Sequence, residues 1–409
     1  MLDTLPTQRT SPVTPMIAGI VCALVGFTSS FAVVLTGLRA VGASPAQAAS
    51  GLLAVTLLQG VGAIVLATRF RIPITLAWST PGAALLAGSG AVSGGWAAAT
   101  GAFAVTGLLI VAGGLWSGLA DLIARIPTNI AQAMLAGVLL PLCLEPVRAV
   151  AIHPWDVLPV ILVWLVLVRV APRWAVPGAF VAASAVIGIE LARTGTSFAD
   201  HRMLPGLAPV VPHLSVQAVL GIAIPLFIVT MASQNIPGVA VMRGFGYTVP
   251  WRPSMLVTGA GTALGAPAGG HAINLAAISA ALAAGPDAGP DTSRRWLAAA
   301  SSGATYLVLG LSSAALTTLV TLAPSGVVET VAGLALLGAL AGAIQGAVGE
   351  TRSVGTRSAE TTAAVLTLVV AASGTTIAGV ESAFWALLMG LTARWWLLRE
   401  RRPDDDRAA

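Results

Sequence analysis

The sequence is short of charge. Only 9% of its 409 residues are charged against 56% that are hydrophobic, and mean hydropathy is +0.89. A soluble chain of this length needs far more charge to cover its surface, so a polytopic membrane protein is expected, with the lipid bilayer as its partner. Lysine is absent, and all 21 basic residues are Arg. They lie in short connectors and the tail and form no basic face, so the net charge of +5 does not point to nucleic acid. Cysteine is nearly absent: Cys22 and Cys143 stand in apolar segments without CxxC or metal-ligand spacing, and read as plain core residues. No P-loop, GxSxG, HExxH or histidine pair with metal spacing occurs. Neither an enzyme nor ATP-driven transport within the chain is expected, and no metal or cofactor.

What is present is a succession of apolar runs. Residues 1–14 are polar and rich in Pro and Thr, without the pattern of a removable signal, so the first run reads as a retained span. Runs long enough to cross a bilayer, whole or in two pieces, fall at 15–38, 45–68, 72–90, 92–115, 117–144, 155–171 and 174–192. After the polar connector 193–212 they fall at 213–236, 252–264, 266–284, 294–318, 324–348, 357–376 and 379–398, and residues 399–409 form a solvated tail. Counting Arg on alternate connectors, with the N-terminus inside, gives 17 on the inner side and 4 on the outer, Arg39, Arg148, Arg193 and Arg202. If the two broken segments dipped in and returned, the split would fall to 15 and 6. Fourteen spans are therefore preferred, with both termini cytoplasmic and the connector 193–212 periplasmic.

Seven spans in each half place the second half upside down relative to the first, an inverted repeat. The third and tenth spans are both interrupted. The third reads RIPITLAWSTPGAALLAG, an extended β-branched piece, then Thr80-Pro81-Gly82, then helix. The tenth reads LGAPAGGHAINLAAISAALAAGP, and Gly265, Pro267, Gly269 and Gly270 cannot all sit in a regular helix. A helix restarting near His271 would offer free N–H groups to an anion. The fold class expected is an all-α polytopic membrane protein of 14 transmembrane segments with two half-helix breaks, and the breaks mark a substrate site.

Candidate ligand contacts gather around those breaks. Ser233, Gln234 and Asn235 are successive polar residues just before Pro237 and Gly238, which are expected to end the helix; they serve either as donors to a carboxylate or as caps and interhelical bonds. His271 is the one histidine inside an expected span, and its reference pKa of about 6.5 suits proton loading; a neutral structural histidine is the alternative. Asn274 shares its face. Thr28, Ser29 and Ser30 between Phe27 and Phe31 offer hydroxyls beside aromatic faces, or else close helix packing. Glu350 is a weaker candidate proton carrier, beside Arg352 and Arg357 with Glu360, where a surface ion pair is the alternative. The expected binding set is Phe27, Ser30, Phe31, Thr80, Gly82, Ala83, Gln234, Asn235, Gly269, Gly270, His271 and Asn274, with His271 or Glu350 coupling the proton.

The blocks SQNIPGVAVMRGFGY and GAPAGGHAINLAAISAALAAGPDAGPDTSRRW resemble the signature region of bacterial benzoate/proton symporters of the BenE type, and WSTPGAALL with IPTNIAQAMLAGVLL resembles their first half. The resemblance covers residues 14–398. It implies an inner-membrane carrier importing benzoate with a proton, similar in fold to uracil, xanthine and ascorbate permeases. By that likeness, residues 15–115 and 213–318 form a substrate-carrying core, 117–192 and 324–398 form a gate, and the carrier is a homodimer through the gate. Nucleobase carriers place acidic residues on spans eight and ten; here Gln234, Asn235, His271 and Asn274 stand instead. A fixed negative charge there would repel a carboxylate. Alternatives are a nucleobase or other organic-anion permease, an uncoupled anion channel, and a receptor that binds without transport.

Overall fold

The computed structural model describes residues 12–116, 126–195, 203–277, 279–349 and 357–399. Glu350, the tails before residue 12 and after 399, and residues 196–202 of the connector, with Asp200 and Arg202, lie outside the described residues. Helices α1 (Val13–Thr28), α2 (Phe31–Ala40) and α3 (Pro45–Phe70) are followed by strand β1 (Leu76–Trp78) and helix α4 (Thr80–Ser89). Helices α5 (Gly95–Leu115), α6 (Thr128–Ile152), α7 (Pro154–Val170) and α8 (Ala175–Thr194) complete the first half. The second half holds α9 (Val216–Gly244), α10 (Trp251–Gly265), strand β2 (Ile273–Leu275), α11 (Ala280–Ala284), α12 (Trp296–Gly310) and α13 (Ser313–Leu322). It ends with α14 (Val327–Val348), α15 (Arg357–Ala372) and α16 (Ser382–Arg399). Among the described residues, 7 helical segments are long and apolar enough to cross a membrane, and α12 with α13, bent by 55°, makes up to 8. The fold is thus a mostly helical polytopic membrane protein.

Three expectations are corrected. The chain is not all-α, because β1 and β2 pair as a two-stranded antiparallel sheet with Leu76 opposite Leu275, Ala77 opposite Asn274 and Trp78 opposite Ile273. No helix restarts at His271. After a 3-10 turn at Ala266–Ala268 the chain runs extended through His271 into β2, and helix resumes only at Ala280. The cause is local: Gly269 has φ +90°, which ends the turn, and β1 supplies hydrogen-bond partners that make extended backbone tolerable at that depth. Nor do Pro237 and Gly238 end their helix. α9 carries π-turns at Val219–Ala223 and Met231–Asn235, each followed at the second position by a proline, Pro225 or Pro237. The wider turn absorbs the missing donor, so the helix continues to Gly244.

Close helix crossings depend on glycine pairs. A Cβ on Gly60 of α3 would lie 2.8 Å from the Gly303 carbonyl oxygen of α12, and one on Gly303 2.6 Å from that of Gly60. Gly107 of α5 and Gly259 of α10 repeat the arrangement, each Cβ position 2.7 Å from the other's carbonyl oxygen. Backbones approach this closely only where side chains are missing. The strand register sets Ala77 opposite Asn274, an offset of 197 residues. That offset carries the first crossing to within two residues of the second.

Arg295, counted above only for topology, is buried at 8% exposure, and its guanidinium donates to the Gly289 carbonyl at 2.9 Å and the Ala284 carbonyl at 2.6 Å. It clamps the end of the second broken segment. Arg295→Met keeps the aliphatic bulk and loses both bonds, which are worth about 1.5–3 kcal/mol each. The expected result is a clearly lower unfolding temperature in detergent, with membrane insertion intact.

Candidate substrate site at the strand crossing

The Ser79-Thr80-Pro81-Gly82 sequence is a helix-start signature, with a capping serine and proline inside the first turn. Ser79 is fully buried, accepts the Gly82 N–H at 3.1 Å on its hydroxyl, and receives the Thr230 hydroxyl at 2.9 Å from α9. Pro81 has no N–H, and the Ala83 N–H bonds the Ser79 carbonyl at 2.7 Å. Among the described residues this leaves the Thr80 N–H as the open donor at the positive end of α4, and Thr80 is itself half-buried.

β2 is held from both edges. Ser79 N–H donates to the Ala272 carbonyl at 2.8 Å and Ala276 N–H to that of Thr75 at 3.0 Å. On the far edge, Leu275 N–H donates to Asn235 Oδ1 at 2.8 Å and Ile273 N–H to the Thr262 hydroxyl at 2.9 Å. Asn274 is satisfied when its amide nitrogen donates to the Leu275 carbonyl at 2.8 Å and its oxygen accepts from Ser79 N–H at 3.0 Å. His271 is fully buried; its Nε2 lies 3.3 Å from the Ser79 carbonyl, which it reaches as a donor, and its Nδ1 is without a partner among the described residues.

An aromatic wall stands beside the start of α4. Phe27 stacks on Phe31 at 5.9 Å between centroids and meets Trp78 edge-on at 5.3 Å; Trp78 lies 6.3 Å from Tyr306, and Phe31 lies 4.7 Å from Phe180 of α8. Trp78 Nε1 donates to the Ser30 hydroxyl at 2.9 Å, and that hydroxyl donates to the Gly26 carbonyl at 3.0 Å. Thr28 and Ser29 likewise donate to backbone carbonyls of the end of α1, those of Leu24 and Gly26. These hydroxyls finish a helix end.

The expected residues therefore meet in part. Phe27, Ser30, Phe31, Thr80, Gly82, Ala83, Asn235, His271 and Asn274 form one connected cluster, and Gln234 is half-buried next to Asn235. Gly269 and Gly270 face elsewhere, Gly269 against Trp96 and Gly51 of α3 and Gly270 against Gly265. They shape a turn and offer no helix start to an anion, because no helix begins there. Ser79, Thr230, Trp78 and Tyr306 join the site without having been singled out. Ser79 alone carried a readable signal, as the residue before Thr-Pro-Gly.

Two broken spans meeting in a short buried sheet inside a helical bundle define a membrane transporter. The fold is shared with the transmembrane domain of a cyanobacterial bicarbonate transporter, BicA, at TM-score 0.61 and 16% identity over 88% of this chain and 97% of that one. The family model described as benzoate membrane transport protein (BenE) matches residues 9–395, and the chain belongs to that family. Its relatives include inner membrane protein YdcO of Escherichia coli (strain K12), 37% identical over 379 residues, which are 93% of this chain and 94% of that protein. They also include the benzoate membrane transport protein of Acinetobacter baylyi (strain ATCC 33305 / BD413 / ADP1), 28% identical over 393 residues, 94% of this chain and 95% of that protein.

Proposed function

We propose that this chain takes up benzoate, or a similar aromatic monocarboxylate, together with a proton across the bacterial inner membrane. The observation that carries the reading is the pairing of the open, positive start of α4 with the wall of Phe27, Trp78 and Phe31. No Asp or Glu occurs in α1, β1, α4, α9 or β2. A carboxylate bound at Thr80–Ala83 places its ring against the aromatic faces, and the half-buried Gln234 is its side-chain donor. Asn235 and Asn274 hold β2 in place, Ser30 orients Trp78, and His271 loads the proton. Family membership and the relative named for benzoate transport support the same substrate.

The arrangement that goes with this function is the fourteen-span inverted repeat with both termini cytoplasmic. The core helices (15–115, 213–318) carry substrate past the gate helices (117–192, 324–398) in an elevator-like, alternating-access movement, and two chains associate through their gates. A second reading, transport of a small inorganic anion, is favoured by the likeness to a bicarbonate transporter, but leaves the aromatic wall without a role. Radiolabelled benzoate uptake in proteoliposomes separates these. Saturable uptake that accumulates only under an acid-outside gradient, with little competition from bicarbonate, is expected. Flux without accumulation would mean an uncoupled channel, binding without flux a receptor, and absence of benzoate flux a different substrate.

A further inference from the structure

At the opposite end of α4 lies a cavity of about 420 Å³ lined by the last turn of α4 (Leu85, Gly88, Ser89), α6, α14 and the α15–α16 turn. One carboxylate in its wall, Glu381, is only 6% exposed. Among the described residues its carboxylate has a single hydrogen bond, from the Thr376 hydroxyl at 3.1 Å, and no Arg or His lies within ion-pair distance. The turn that carries it is tightly built: Ile377 and Val380 form a bridge, Ala378 has φ 54°, and the Ser382 hydroxyl donates to the Ala371 carbonyl at 3.1 Å. That turn docks on the helices assigned above to the core. A Cβ on Gly221 in the first π-turn of α9 would lie 3.1 Å from Glu381 N and 3.4 Å from its Cγ, and one on Gly379 would meet Gln217 at 3.1 Å and Ser93 at 3.4 Å.

The charges facing Glu381 can be enumerated from each neighbour. α6 contributes Glu145, paired with Arg148 at 2.7 Å. α14 contributes Glu329, whose carboxylate accepts the Gly326 N–H at 3.1 Å. α4 contributes no titratable group but ends here with the negative pole of its dipole. α9 carries only Arg243, in its last turn and far along the helix from Gly221, and the residues around Ser93 contribute none. The start of α16 favours a charge on Glu381, whereas burial, the Glu329 carboxylate across the cavity and the end of α4 oppose it. A group balanced in this way changes its protonation when the contact opens to water.

We propose that Glu381 is a proton-binding latch: neutral, it lets the α15–α16 turn close on α4 and α9, and ionised, it holds that contact open. The same helix would then bind the substrate anion at one end and read proton loading at the other. The role of the latch in transport rests on the alternating-access reading above; the contact itself is tested without substrate. The Ser89 hydroxyl is buried in this cavity, bonded to the Leu85 carbonyl at 2.8 Å, so a Ser89→Cys reporter can be labelled with a charged thiol reagent in detergent between pH 5 and 8. Thr68→Cys, at an exposed position of α3 away from this turn, gives the intrinsic pH dependence of the thiol. After that correction, labelling of the Ser89→Cys protein should rise at least tenfold with pH along one titration. Glu381→Gln should make it slow and flat. Thr376→Val, which removes the donor that favours the charged form, should move the midpoint to higher pH. Labelling that keeps its pH dependence in Glu381→Gln, or shows none with Glu381 intact, overturns the proposal. A failed benzoate reading would appear separately, as absent uptake by the unmodified carrier, and would leave the labelling result standing.

Discussion

Replacing His271 by Gln is expected to abolish pH-driven accumulation of benzoate while leaving exchange of external for internal benzoate. The imidazole is fully buried and donates from Nε2 to the Ser79 carbonyl, the residue that caps α4. Its Nδ1, without a partner, is the position free to take a proton. A proton there puts a positive charge beside the helix start proposed to hold the carboxylate, so each ligand favours the other, and the loaded site is electrically silent. Either charge alone is costly in a low-dielectric interior. Gln keeps a donor for Ser79 and cannot titrate. For one proton per benzoate, each pH unit of gradient supports about tenfold accumulation, because one unit is about 1.36 kcal/mol. The ratio should fall to about one in His271→Gln. A variant that still concentrates benzoate under an acid-outside gradient would remove His271 from the coupling role.

The second large effect separates two adjacent glycines. Gly269 adopts φ +90°, and a Cβ there would lie 2.7 Å from Trp96 Cζ2 and 3.3 Å from the Gly51 Cα. Any side chain incurs about 1–2 kcal/mol of left-handed backbone strain in addition to the clash, and relief displaces the segment leading to β2. Gly270 has no such conformation, and a Cβ would meet Gly265 at 3.1 Å, a contact that a small shift relieves. Gly269→Ala is therefore expected to lose nearly all transport and a measurable part of its thermal stability. Gly270→Ala should retain most of both. Equal loss in the two variants, measured as uptake per folded protein, would favour a helix start at His271 over the extended segment described here.

Those glycines also show how far the sequence could be read. The breaks were legible, because glycine and proline inside an apolar run have few structural outcomes in a membrane, and the β-branched stretch before Thr80 announced extended backbone. What followed Gly270 was not legible. AINLAAISAALAA is good helix-forming sequence, and the pairing of Leu76–Trp78 with Ile273–Leu275, 197 positions apart, makes its first part extended. Single-residue spacing cannot reveal a partner that distant. For the same reason Asn235 read equally well as ligand donor or helix cap, whereas its oxygen is committed to the Leu275 N–H. Proline misled in α9, since a π-turn, which leaves no periodic signature, lets helix pass through Pro237. Glu381 was overlooked because a carboxylate at the end of an apolar run looks like any interfacial charge until the surrounding cavity is seen.

The β1–β2 pair has a consequence for how the chain is made. β1 emerges from the ribosome long before its partner, and at roughly 5–20 residues per second the wait for β2 is on the order of 10–40 s. Throughout that interval the peptide groups of Leu76–Trp78 lack the partners that the finished protein gives them. Lipid offers none, and each unmatched group there costs several kcal/mol. The third segment therefore cannot simply partition into the bilayer as it is synthesised. It has to wait in a wet or proteinaceous shelter until β2 arrives, so insertion of this carrier is completed only when the two strands meet.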